Sequence, residues 1–153
     1  EDVTYSGTIA AAMEGTLFGI RSIALSQVRA PGAVADFTPA ANWCPEVLRK
    51  VVSLDEWPAG SFININFPDV PVAEISGVRL TTQGQRPPGS FSIMPRVDAR
   101  AQPYYWVKIA YTSGNTIANT DLHAIADKAV SVTPIKMDFT DQAWRDKLAA
   151  AMV

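Results

Sequence analysis

The chain predicts an α/β fold, a sheet of apolar strands with helices laid over it. Three observations point there. Ile9 to Glu14 is Ala-rich with Met and Glu, so helix propensity is high, and a short link leads from the helix it starts into the apolar run 22–26. Residues 61–67 and 129–134 are further apolar runs of strand length, the kind that stands in a sheet covered on both faces. Helix, short link and strand therefore alternate, which is the rhythm of α/β sheets with buried parallel strands. At 153 residues with 48% hydrophobic side chains, a single domain can bury a sizeable core, and no repeat or linker calls for a second one.

In chain order, the first helix is expected over 8–18, capped by Ser6 or Thr8 and ended near Gly19, with Gly7 allowing a tight turn. Ile9, Ala12, Met13 and Leu17 share one helical face. Residues 27–36 form a loop. Thr38 followed by Pro39 starts a helix reaching about Leu54, with Val47, Leu48, Val51 and Val52 at helical spacing and Pro45 predicting a kink or irregular turn near Ala41. Strand 61–67 has Phe62, Ile63, Ile65 and Phe67 for two covered faces. Asn64 and Asn66 either stand at its active end or hold neighbouring loops. A strand over 77–82 precedes a polar excursion, 83–101, which returns through the aromatic strand 104–109 as an extended hairpin. Residues 111–119 form a loop. Thr120 caps a short helix to about Ala126, strand 129–134 follows, and Thr140 caps a last helix whose stripe is Trp144, Leu148 and Met152.

The first stretch carries the chemistry. The opening amides of a helix lack internal partners, so with two hydroxyls and the helix dipole, Ser6, Gly7 and Thr8 make a ready anion site. Read from residue types alone, Ser6 and Thr8 are more often simple caps, because short Ser-Gly-Thr turns are common at helix starts. The longer string Tyr5-Ser6-Gly7-Thr8-Ile9-Ala10-Ala11-Ala12-Met13-Glu14-Gly15 closely resembles the "YSGTVAAAMEG" signature of the SurE family, metal-dependent phosphatases acting on nucleoside monophosphates. Phe62-Ile63-Asn64-Ile65-Asn66-Phe67-Pro68-Asp69 is similar to the family's "LNINVPD", and Val130-Ser131-Val132-Thr133-Pro134-Ile135 to its "VSITPL". Gly77-Val78-Arg79-Leu80-Thr81 continues the resemblance, in the family's order.

The resemblance implies a Rossmann-like three-layer sandwich, of which residues 1–153 are the C-terminal part of one domain. It makes 83–109 an oligomerisation hairpin and 140–153 a tail helix reaching a partner subunit. It implies 5′/3′-nucleotidase activity on a nucleoside monophosphate, with Ser6 and Thr8 as catalytic groups and Ser6, Gly7 and Thr8 as the phosphate-binding residues. A divalent cation, magnesium or manganese, would take its ligands mostly from outside this chain, so no metal ligand is assigned here. A homodimer or homotetramer is implied. A different reading, a non-catalytic truncated homologue kept for subunit assembly, fits the same residues.

Composition narrows the partners. A net charge of −2 argues against a nucleic-acid polymer, and no apolar run approaches the roughly 20 residues of a membrane helix. A single cysteine, Cys44, fits a cytoplasmic, reducing setting and an apolar packing role. The lone His123 has no local base or metal partner and is expected to be structural. Arg86, Arg96 and Arg100 could attract a phosphate and Tyr105 and Trp106 could stack on a base, but solvated or interfacial roles are expected of all five. Glu1 and Asp2 could approach a metal in space. Asp36, Asp55 and Glu56 are expected to face solvent.

Overall fold

Alternation along one strand, β2 (Ser61–Phe67), sets the layers of the molecule. The computed structural model describes residues 2–29, 32–109 and 117–152. Successive side chains of a strand point to opposite faces. Phe62 therefore packs with Ile9 and Ala12 of α1 (Gly7–Leu17), while Ile65 and Phe67 pack with Val47 and Val51 of α2 (Thr38–Val52). The neighbouring strands follow the same division. Ala24 of β1 (Ile23–Gln27) and Ile135 of β6 (Val130–Lys136) join the α1 side, and Val130 and Val132 the α2 side. Helix, sheet, helix is the three-layer α/β arrangement expected from the sequence.

The strand order is β1-β2-β6-β3, with β3 at Val78–Leu80. β1 pairs with β2 in parallel, Leu25 against Ile65, and β3 with β6 in parallel, Leu80 against Val132. β2 and β6 pair antiparallel, Ile65 opposite Val132 and Asn64 opposite Thr133. The expectation of a parallel sheet is thus corrected to a mixed one. Apolar runs record that strands are covered on both faces; they carry no information about direction, which long-range pairing decides.

α1 ends in two hydrogen bonds, Gly19 N–H to the Thr16 carbonyl (3.0 Å) and Ile20 N–H to that of Gly15 (3.0 Å). Gly19 takes φ +73°, the left-handed turn that glycine adopts without cost. The buried face of α1 is Ile9, Ala12 and Thr16, with Met13 beside it, while Leu17 is exposed. The Thr16 hydroxyl donates back to the Ala12 carbonyl (2.8 Å), which satisfies its polar group inside the face. α2 runs unbroken through Pro45. Its N-cap position is Phe37 rather than Thr38 and carries no side-chain cap bond; the Asp36 carboxylate, one residue earlier, accepts from Thr38 N–H (2.9 Å). α4 (Gln142–Ala151) is capped by Asp141, accepting from Trp144 N–H (2.9 Å), rather than by Thr140, whose own N–H goes to Asp138 (2.9 Å). At α4 a carboxylate thus takes the capping role in place of a hydroxyl.

β4 (Phe91–Val97) and β5 (Pro103–Ile109) form a separate antiparallel pair, the hairpin read in the sequence, with Met94 opposite Trp106. The base of the excursion is pinned at Gly84, whose N–H donates to Asp121 Oδ1 (2.7 Å) at the start of α3 (Asp121–Ala126). As expected, Thr120 caps α3, accepting from His123 N–H (3.3 Å). Most of the loop read over 111–119 lies outside the described residues, as do Glu1 and the side chain of Asp2.

Candidate functional site

A 3-10 turn, Asp2–Tyr5, delivers the chain to Ser6, whose N–H closes it on the Val3 carbonyl (3.3 Å). Ser6 has the extended backbone of an N-cap (φ −89°, ψ 117°). Its Oγ accepts from Ile9 N–H (3.2 Å), and its carbonyl accepts from Ala10 N–H (2.9 Å). Ile9 is buried against the sheet and fixes where the helix starts. The N–H groups of Gly7 and Thr8 and the Thr8 hydroxyl take no partner among the described residues. Both residues are exposed, whereas Ser6 is half-buried. Ser6 is thus the cap and Thr8 a free hydroxyl in the first turn.

Gly7 does not serve the purpose expected of it. A Cβ built there would meet nothing within 4 Å, and its φ lies outside the left-handed region. The turn does not need glycine's conformational freedom, and the missing side chain leaves the first amides of α1 uncovered.

The position of this turn follows from topology. The link 18–22 is too short for anything but an antiparallel return of β1 against α1, and Gly15, near the helix end, lies directly against Ser22 at the strand start. The opening of α1 therefore faces toward the carboxyl ends of the parallel strands β1 and β2, where α/β sheets bind ligands. Ser26 and Asn66 are register partners there, and Asn66 is also opposite Ser131. Asn64, one step back, is buried opposite Thr133. Beside them lies a hydroxyl cluster: Thr81 Oγ1 is 2.7 Å from Thr133 Oγ1 and 2.8 Å from Ser131 Oγ, all three buried. The α1 side of the sheet is therefore polar toward β6 and β3 and apolar under the helix.

The other candidates lie elsewhere. His123 sits on α3, with Nδ1 3.7 Å from Asp127 Oδ2, and lines a cleft of about 250 Å³ with Arg79, Thr81 and Asn119. Arg79 donates to Asp127 (2.6 Å) and holds its carboxyl below the usual carboxylate range, with the nearby His123 helping and desolvation opposing. Arg96 and Arg100 belong to the hairpin, Arg96 opposite Tyr104 and Arg100 at the tip, where its N–H donates to Asp98 (2.8 Å). Tyr105 and Trp106 are exposed on β5. Cys44 is half-buried against the α2-side core, as its composition suggested. A second hollow, about 300 Å³, lies between β1 and α2 and is lined by Leu25, Phe37, Ala41 and Cys44 among others. Neither hollow includes the Ser6 turn.

One contact escaped the sequence reading. The Tyr5 ring, immediately before the cap, meets the ring of Phe91 at the start of β4, with centroids 6.1 Å apart and planes at 42°. Nothing local to either residue signals this pairing across 86 positions of chain.

Among the described residues, no group of three or more His, Cys, Asp or Glu side chains is arranged to hold a metal ion. A divalent cation of the magnesium type needs several oxygen ligands in fixed geometry, so these residues do not fit it by themselves. No helix among them is long and apolar enough to cross a membrane.

Comparison with known proteins agrees with the signature at the helix start. A family model described as "Survival protein SurE" matches residues 1–89. A 5′-nucleotidase SurE of Methylorubrum extorquens is 44% identical over 153 residues, covering 99% of this chain and 60% of the relative. One of Parvibaculum lavamentivorans is 44% identical over 154 residues, covering 99% of this chain and 55% of the relative. The crystal structure of a SurE protein from Aquifex aeolicus superposes with a TM-score of 0.76 at 31% identity, over 100% of this chain and 60% of that one. The chain thus spans a little over half the length of these relatives. With more than half of its length matched by the family model, the chain belongs to the SurE family.

Proposed function

We propose that this chain is the phosphate-holding portion of a metal-dependent phosphomonoester hydrolase acting on nucleoside monophosphates. The observation that carries the reading is the start of α1. There Ser6 caps the helix, the Gly7 and Thr8 amides and the Thr8 hydroxyl stay uncommitted, and no side chain covers Gly7. The names of the relatives, 5′-nucleotidases, support the substrate class. On this reading the amides of Gly7 and Thr8 and the Thr8 hydroxyl donate to the non-bridging oxygens of the phosphate, and the dipole of α1 favours its negative charge. Donors already aimed at developing charge need no reorganisation during the reaction. Ser6 acts by holding the turn, because its Oγ is committed to Ile9 N–H. A magnesium or manganese ion would activate the attacking water, with ligands mostly outside this chain. The hairpin and α4 supply contacts between copies in a homodimer or homotetramer of a cytoplasmic enzyme.

The test uses the natural full-length protein. Ser6→Ala with Thr8→Val should lower kcat on a nucleoside monophosphate by well over tenfold, since loss of one comparable donor costs about 100-fold or more. Thr8→Val alone separates chemistry from folding. The Thr8 side chain is exposed and makes no hydrogen bond among the described residues, so activity should fall with an unchanged unfolding midpoint. Near-normal turnover in the double variant would rule out the phosphate role.

A further inference from the structure

We propose that Tyr5 and Phe91 form the platform on which the nucleobase of the substrate rests, an inference that builds on the phosphate role of the Ser6 turn. Tyr5 is 70% exposed and Phe91 36%, and neither belongs to the two buried clusters of the core. Tyr5 is joined directly to Ser6, so its ring stands within one side-chain length of the helix start, consecutive Cα atoms being about 3.8 Å apart. In a nucleoside monophosphate a single sugar separates the phosphate from the base. An aromatic ring beside the phosphate turn is therefore at the remove the base requires.

The pair is also suited to the task chemically. Phe91 props the Tyr5 ring from a different segment of the chain, and the 42° tilt keeps the two rings from covering one another in a parallel stack. Most of the Tyr5 surface stays open. Aromatic rings have few rotatable bonds, so ordering them against a ligand costs little entropy. Every nucleobase presents a π-face, and stacking on it tolerates the identity of the base. The phenol hydroxyl adds a donor and acceptor for a base edge. The contact also links the first strand of the hairpin to the phosphate turn, so residues 86 positions apart bear on one substrate.

The experiment compares adenosine 5′-monophosphate with ribose 5-phosphate, which keeps the phosphate and sugar but lacks the base. In the full-length protein, Tyr5→Ala and Phe91→Ala should each lower kcat/KM for the nucleotide by about tenfold, mostly through KM, the size expected for one lost stacking contact. The same variants should change kcat/KM for ribose 5-phosphate by less than about twofold, and Tyr5→Phe should retain most of the nucleotide preference. Equal losses on both substrates would show that the rings only brace the turn and would overturn the proposal. So would no loss on either, or a change in oligomeric mass with the substrate ratio intact. If the protein hydrolysed neither compound, the phosphatase reading would fail by itself. The platform would then be judged by calorimetric binding of adenosine, which Tyr5→Ala should weaken about tenfold; unchanged or absent binding would overturn it.

Discussion

Thr81 is the hub of the buried hydroxyl cluster beside Asn64 and Asn66, and replacing it by valine should cost more than replacing the whole cluster. Its Oγ1 lies 2.7 Å from Thr133 Oγ1, 2.8 Å from Ser131 Oγ and 3.3 Å from the Val132 carbonyl. Thr81→Val keeps the shape, so no cavity opens, but it leaves two buried hydroxyls whose remaining contact with each other is long, 3.4 Å. One lost hydrogen bond is worth about 1 kcal/mol, and stranding buried polar groups adds part of a penalty of about 1–3 kcal/mol. A loss of about 2 kcal/mol follows. Changing all three together, Thr81→Val, Ser131→Ala and Thr133→Val, removes the unsatisfied groups and should cost about 1 kcal/mol or less. The singles and the triple should therefore be strongly non-additive. Urea unfolding at constant m value reads both quantities from the midpoint. A single-variant cost below about 0.5 kcal/mol, or a triple equal to the sum of its singles, would refute the reasoning.

Gly84→Ala should destabilise by about 1–3 kcal/mol in thermal unfolding, because the new Cβ would fall 2.8 Å from Asp121 Oδ1 and 2.9 Å from Leu122 Cγ. Asp127 has its carboxyl held below the ordinary value of 3.8, chiefly by the hydrogen bond from Arg79. A depressed carboxyl contributes stability above the unfolded value and loses it as pH falls through the folded one. The stability gap between wild type and Asp127→Asn should thus be level above about pH 5 and close progressively below 3.8, as followed by urea midpoints across pH. Deleting residues 85–103, which include exposed Ile93 and Val97, should move the full-length protein to a smaller species in light scattering; an unchanged mass would count against the hairpin contact. Residues 1–153 alone, assayed with magnesium or manganese on a nucleoside monophosphate, should show no turnover. Robust activity would mean the metal site has been misplaced.

Sequence by itself determined what lies within a few residues of its cause. Ser6 ahead of an Ala-rich run specifies a capped helix, and Gly19 its left-handed end. Thr120 specifies the start of α3. The alternation in 61–67 specifies a strand with two covered faces. The signature at 5–15 identified the family because eleven neighbouring residues carry it together. Tertiary structure decided the rest, for reasons that act over distance. Pairing set β6 antiparallel to β2, though both read alike as apolar runs. Packing chose Thr16 over Leu17 for the buried face of α1, since a hydroxyl that bonds its own helix can lie against the sheet. The Asp141 carboxylate took the cap that the Thr140 hydroxyl had suggested, and α2 starts behind Phe37 without a side-chain cap where Thr38 had suggested one. The meeting of Tyr5 with Phe91 depends on where the excursion folds back, which no local pattern in either segment records.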